Sequence, residues 1–289
     1  MFLRNKTTTS TKDYLEKISQ LKQKLNNADA VIIGAGAGLS TSAGLEYGGE
    51  RFNNLFSEYI KRYNLTDMYS SAFYPFKTLE EYWGYWCMHV YHNRYAAKLN
   101  STYNDLYKLV SNKNYFVITT NGDHLFRLNN FPKERLFYTQ GDYGVFACSK
   151  ACHNETYDNK EIILNMVNNL NNLKIPTNLI PRCPKCNAPM TVNLRKDEYF
   201  VEDDGWNLAM DRYSKFLNEN KNKQVVFLEL GVGYNTPSII KYPFWQMTYK
   251  NKNAFFVTVN MNDAICAKEI INKSICIEDD IHKVIADVF

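Results

Sequence analysis

Residues Val31 to Gly44 read VIIGAGAGLSTSAG, an apolar run that breaks abruptly into glycines and small hydroxyl residues. An unbroken Val/Ile run marks a strand buried on both faces, as in a parallel sheet covered by helices. A glycine turn at the carboxyl end of such a strand lets backbone N–H groups approach a phosphate at the start of the next helix. The segment therefore predicts the first strand of a nucleotide-binding sheet. Two common loops are excluded. No lysine follows the glycines as a Walker loop requires, and neither Gly34 nor Gly36 begins a complete GxGxxG. On the loop alone, a tight strand-to-helix turn without a ligand stays open.

The chain of 289 residues is long enough for one large core or two domains, and 45% hydrophobic content makes it globular. Lys and Arg number 34 against 30 Asp and Glu, a net charge of +4, too mild for a nucleic-acid footprint. The opening MFLRNKTTTSTKDY lacks the apolar centre of a signal peptide, and no run is long enough to span a bilayer. No nucleic acid, no membrane and a cytoplasmic location are expected. Seven cysteines, an odd number, argue against a disulfide framework and for thiols or metal.

Leu15, Ile18, Leu21 and Leu25 recur at helical spacing and predict an amphipathic helix over 11–28. Short apolar runs at Tyr115–Thr119, Gln224–Leu230, Ala254–Val259 and Ser274–Ile277 predict further strands. Separated by helical stretches, they imply an α/β fold: a Rossmann-like, doubly wound parallel sheet with ligands at the strand carboxyl ends. Ile281, Val284, Ile285 and Val288 mark a closing helix. The stretch 147–197 breaks this rhythm with cysteines and prolines and reads as an inserted module.

Cys148-x3-Cys152 and Cys183-x2-Cys186 have the spacing of two knuckles closing one tetrahedral zinc site. Four protein ligands leave no open position, so the Zn2+ is expected to be structural. Two unrelated pairs, or a redox-active CxxC, are the other reading. Cys87, Cys266 and Cys276 read as packed or surface thiols. The aromatic stretch Phe73–Tyr95 covers more of a helix than one stripe. It either packs against the inserted module or, through Trp83 and Trp86, lines a groove for an apolar arm.

After the YFVIT strand comes Thr119-Thr120-Asn121-Gly122-Asp123-His124, and a second polar turn follows at Thr139-Gln140-Gly141. The order of glycine loop, TTNxD, TQG, cysteine pairs, GVG (Gly231 to Gly233) and VN (Val259, Asn260) resembles the sirtuins over nearly the whole chain. GAGLSTSAG from Gly36 to Gly44 fits their GAGxSxxxG closely. The usual IPDFR is replaced by Leu45-Glu46-Tyr47-Gly48-Gly49, with Arg51 the candidate stand-in for the missing arginine. The family's catalytic histidine aligns with Gln140, whose amide accepts no proton near neutral pH. YGGERF, TQGDYG and ELGVGYNTP look in particular like the macrodomain-linked, or class M, subgroup.

That resemblance implies a single sirtuin domain over 1–289. Its NAD-binding part covers 11–50, 110–146 and 198–289, with an aromatic helical part at 51–109 and the zinc module at 147–197. It implies protein ADP-ribosylation from NAD, with a lipoylated carrier protein of the glycine-cleavage H type as acceptor and a separate macrodomain protein as reversing partner. The pyrophosphate is expected on Gly36, Ala37, Gly38 and Ser40, within the motif that includes Leu39 and Gly44. Asn121 and Asp123 are expected to flank the nicotinamide ribose and Gln140 to hold a ribose hydroxyl or the acceptor. Gly231, Val232 and Asn260 are expected on the adenosine side. A deacylase tolerating Gln140, an NAD glycohydrolase and an NAD-sensing module are the alternatives.

Overall fold

The computed structural model describes residues 11–288; the first ten residues of the opening segment and Phe289 lie outside it. The described strands, in chain order, are β1 (Ala30–Ala35), β2 (Tyr115–Thr119), β3 (Leu136–Tyr138), β4 (Gly141–Cys148), β5 (Tyr157–Asp158), β6 (Met190–Leu194), β7 (Val225–Leu230), β8 (Phe255–Val259) and β9 (Ser274–Ile277). Six of them form a parallel sheet in the order β3-β2-β1-β7-β8-β9. The chain leaves β1 toward one edge and later returns to its other side at β7, so the topological switch lies between β1 and β7. Ligands of doubly wound sheets bind outside such a point.

Register places the site. Ala35 lies opposite both Thr119 and Leu230, Thr119 opposite Tyr138, and Leu230 opposite Val259. The strands thus end in one row, and Gly36, Thr120, Thr139, Gly231 and Asn260 are the first residues beyond it.

All six residues of β1, all five of β2 and all six of β7 are buried, because helices cover both faces. On one face Val31, Ile33, Val117 and Leu228 pack with Ile18, Leu21 and Leu25 of the helix Thr11–Asn27, Leu106 of Ser101–Val110, and Val284 and Ile285 of Ile281–Val288. On the other face Ile32, Phe116 and Phe227 pack with Ala209 of Asp204–Asn220 and Phe244 of Lys241–Lys250. The short edge strand β3 was not among the expected runs.

A second sheet, antiparallel in the order β5-β4-β6, carries the cysteine pairs. Its core joins Phe146, Met190 and Val192 to Trp83, Tyr85 and Trp86 of the helix Leu79–Val90. The Trp83 and Phe146 rings meet edge-on at 4.9 Å. Trp83 is 0% and Trp86 1% exposed. Neither has surface with which to line a groove, so the aromatic density serves packing against the module, where each large ring buries much apolar area.

Candidate active site

At the switch point the loops after β1 and β7 are clamped together. Gly36 N–H donates to Leu230 O at 3.0 Å and Gly38 N–H to Gly231 O at 2.9 Å. A Cβ on Gly36 would sit 2.6 Å from Gly231 O, and one on Gly38 2.6 Å from the Gly231 Cα. Gly231 has φ +64, open to glycine at no steric cost. These glycines therefore permit backbone-to-backbone contact. This differs from the expectation: two of the N–H groups assigned to a phosphate are already committed to protein carbonyls. Gly44 also needs its left-handed φ of +86, where the chain leaves the short helix Ala37–Ser42 beneath which Leu39 is buried.

Ser40 is the centre of a buried knot. Asn121 Nδ2 donates to Gly36 O at 2.9 Å and to Ser40 Oγ at 3.0 Å. Ser40 gives its own proton to Asp123 Oδ2 at 2.5 Å. Since that proton is spent, Tyr103 Oη must be the donor in its 3.1 Å contact with Ser40 Oγ. Asp123 Oδ1 accepts from Leu125 N–H at 3.0 Å, which opens the turn Leu125–Leu128. Asn121 Oδ1 takes no protein partner among the described residues and is left as a free acceptor. Tyr103 is a residue the sequence reading missed.

Asp123 is 3% exposed and no lysine or arginine bonds to it. Burial pushes its carboxyl up, while Leu125 N–H and Ser40 Oγ pull the other way. A carboxylate kept at such a cost beside a ligand-binding row is suited to stabilising positive charge that develops in a reacting sugar.

Gln140 follows β3. Thr139 anchors the turn, with both N–H and Oγ1 donating to Thr119 O at 3.0 Å. Gln140 O accepts from Arg195 N–H at 3.1 Å, and the Gln140 side chain makes no hydrogen bond among the described residues. A half-buried amide free at both ends can orient a hydroxyl but cannot deprotonate it. Arg195, also missed, lies over Phe200 at 4.3 Å and Trp206 at 5.4 Å. Its Nε reaches Thr139 O at 3.4 Å, so a cation stands beside the Gln140 turn.

His124 continues the Asp123 turn with φ +67. Its Nδ1 bonds Asp142 Oδ2 at 2.7 Å, while Arg94 Nε and Gly144 N–H reach Oδ1 at 2.9 and 2.6 Å. Burial alone would raise the Asp142 carboxyl, but His124, Arg94 and Gly144 outweigh it and hold it at about 2. This lock joins the large sheet, the small sheet and the helical part just behind the site.

Just beyond β8, Asn260 Nδ2 donates to Val232 O at 3.2 Å, and its Oδ1 accepts from Asn262 and Asp263 N–H at 3.2 and 3.3 Å. Asn260 thus ties the β7 and β8 loops together. Arg51 makes no hydrogen bond to the glycine loop. Its guanidinium is held by Glu46 O at 2.9 Å, His92 O at 3.0 Å and Asn93 Oδ1 at 3.0 Å.

The Sγ atoms of Cys148, Cys152, Cys183 and Cys186 all lie within 4.8 Å of one another. Four thiols converging from two knuckles fit a tetrahedral zinc ion with no position left for substrate. The ion would pin β4 to the turn before β6, away from the glycine loop.

No known family's sequence profile matches the chain. Solved sirtuins share its fold. A Sir2 enzyme bound to a propionylated peptide covers 94% of this chain and 97% of its own, with TM-score 0.58 at 18% identity. A Sir2 enzyme with a p53 peptide and NAD+ covers 94% and 96%, with TM-score 0.54 at 16% identity. Fold, polar row and cysteine cluster together define a protein of the sirtuin fold. A Staphylococcus aureus protein ADP-ribosyltransferase is 38% identical over 266 residues, 92% of this chain and 84% of its own. The chain belongs to that family of sirtuin-type ADP-ribosyltransferases. A Fusarium oxysporum protein named a probable bifunctional ADP-ribose hydrolase/ADP-ribosyltransferase is 32% identical over 78% of this chain, which spans 39% of that protein's length.

Proposed function

We propose that the enzyme moves ADP-ribose from NAD to a lipoylated carrier protein of the glycine-cleavage H type in the cytoplasm, and that a separate macrodomain protein removes it. The observation that carries transfer over deacylation is Gln140: the side chain at the expected acceptor turn is an amide without basicity. NAD supplies the ADP-ribosyl group, which separates from nicotinamide. Asn121 Oδ1 is free to orient the ribose, Asp123 offers negative charge to the sugar, and the Gly36–Gly231 clamp shapes the floor on which the phosphates lie.

An acceptor that arrives already anionic needs no base, which suits a site with an amide where a histidine is usual. The family name of the Staphylococcus relative supports protein as acceptor, and the Fusarium relative's name pairs transfer with ADP-ribose hydrolysis in one chain. The lipoyl arm rests on the motif resemblance; the buried Trp83 and Trp86 lend it no groove. The test is NAD consumption with lipoylated and unlipoylated carrier in parallel. ADP-ribose appearing only on the lipoylated form supports the acceptor assignment, and equal labelling or none removes the lipoyl requirement.

A further inference from the structure

The loop that follows the glycine turn is flanked by two left-handed glycines, Gly44 at φ +86 and Gly49 at φ +62, and carries Tyr47. Tyr47 O is pinned by Met68 N–H at 2.7 Å. Its hydroxyl meets that of Tyr143 at 2.6 Å, across a sequence distance of 96 residues. Tyr143, on β4 three positions beyond Gln140, is tied to the catalytic turn by its own N–H, which donates to Gly122 O at 3.0 Å. Burial raises both phenols most; the charge of Asp123 comes next for Tyr47, whereas for Tyr143 the Tyr47 phenol comes before it, and the Gly122 carbonyl that takes the Tyr143 N–H belongs to the residue just before Asp123.

The protons of this pair can be counted. Two hydroxyls carry two protons, one is spent between them, and no protein acceptor for the other is present among the described residues. Behind the pair lies His89, 1% exposed, its ring 5.0 Å from Tyr143 and 6.0 Å from Tyr47. Tyr85 Oη donates to Met68 O at 3.2 Å, so in its 3.1 Å contact with Tyr85 the His89 Nδ1 is the donor. His89 Nε2 is then a bare acceptor, buried without a partner. Burial first, and the charge of Arg51 next, lower His89 to about 3, so it stays neutral. The phenol pair therefore has a neutral aromatic wall on one side and, through the Gly122 carbonyl, the turn that carries Asp123 beside it.

We propose that Tyr47 and Tyr143 act as one positioning unit, presenting their spare phenolic proton to an oxygen of the nucleotide's reacting ribose beside Asp123. This rests on the transferase reading, in which the reacting sugar lies at Asp123. The unit acts through orientation: a hydrogen bond to the ribose hydroxyl that strengthens as the sugar reorganises raises turnover without tightening NAD binding.

The experiment measures nicotinamide release from NAD by the full chain, NAD affinity by calorimetry and thermal stability, for wild type, Tyr47→Phe, Tyr143→Phe and the double variant. Phenylalanine keeps the rings and removes only the hydroxyls. As a unit, each single change lowers kcat about tenfold, the worth of one hydrogen bond to substrate, with NAD affinity unchanged and the double variant no worse than either single. Wild-type kcat in both single variants, or additive losses that track melting temperature, would overturn the proposal and leave an ordinary packing contact. The assay includes the lipoylated carrier, and a wild-type protein that releases no nicotinamide in its presence overturns the transferase reading itself, and the proposal with it.

Discussion

Ser40 Oγ and Asp123 Oδ2 share a hydrogen bond of 2.5 Å between residues 83 positions apart, and that bond holds the glycine loop to the turn after β2. Asn121 and Tyr103 complete the arrangement, so the free Asn121 Oδ1 and the buried Asp123 are fixed relative to each other before any nucleotide arrives. Preorganisation of this kind is what electrostatic stabilisation of a reacting sugar requires.

Asn121→Ala removes the free Oδ1 together with two donors, to Gly36 O and Ser40 Oγ. Nicotinamide release is expected to fall at least about a hundredfold, while melting temperature drops by only a few degrees. Unchanged turnover in a steady-state assay would remove Asn121 from the site.

Asp123→Asn separates stability from activity. A carboxyl raised by burial binds its proton more tightly folded than unfolded, so ionised Asp123 costs stability as pH rises through its folded value. The neutral amide removes that cost. Its single acceptor oxygen cannot serve both Ser40 Oγ and Leu125 N–H, so at pH 7 the two effects offset and the variant is expected to melt within a few degrees of wild type, yet to lose about a hundredfold in nicotinamide release. A variant that melts lower with turnover intact would make Asp123 a scaffold residue.

Asp142 has the opposite sign. Its folded value of about 2 lies below that of an unfolded aspartate. Its stabilisation is therefore complete above roughly pH 4 and lost as pH falls through about 2. Asp142→Asn is expected to destabilise by about 2 kcal/mol at pH 7, the difference from wild type shrinking below pH 4 in urea melts taken across pH. A constant difference at every pH would assign the loss to packing.

Chelation of zinc, or Cys183→Ser, is expected to unfold the small sheet first. Trp83 reports it, because its ring rests on Phe146 of β4, the strand that ends at Cys148. Metal analysis should find one zinc per chain, and its removal should shift tryptophan emission to the red. Full structure without metal would favour the redox-pair reading of these cysteines.

How much of this was legible beforehand differs element by element. β1 announced itself because burial on both faces leaves an unbroken Val/Ile run. The cysteines did so because knuckle spacing is dictated by the metal. Register then made the polar turns after β1, β2, β3, β7 and β8 neighbours, which the parallel-sheet reading implied. β3 escaped notice because Leu136–Tyr138 spans only three residues at an edge. Tyr103 escaped because it sits on a helix whose apolar positions read as core, and only packing brings its hydroxyl to Ser40. Arg195, Asp142 and Arg94 carry no periodic mark, since their partners lie far away in sequence. The commitment of the Gly36 and Gly38 N–H groups is illegible in the sequence for a related reason: nothing local shows that the end of β7 supplies the carbonyls that take them.

Transfer and deacylation are separated by intact-mass spectrometry after incubation with NAD and either a lipoylated H-type carrier or an acetyl-lysine peptide, with nicotinamide quantified alongside. The mass of one ADP-ribose is expected on the carrier, matching nicotinamide release, with the peptide untouched. Loss of acetyl from the peptide with no addition to the carrier would contradict transfer, showing that a site with Gln140 in place of histidine still deacylates.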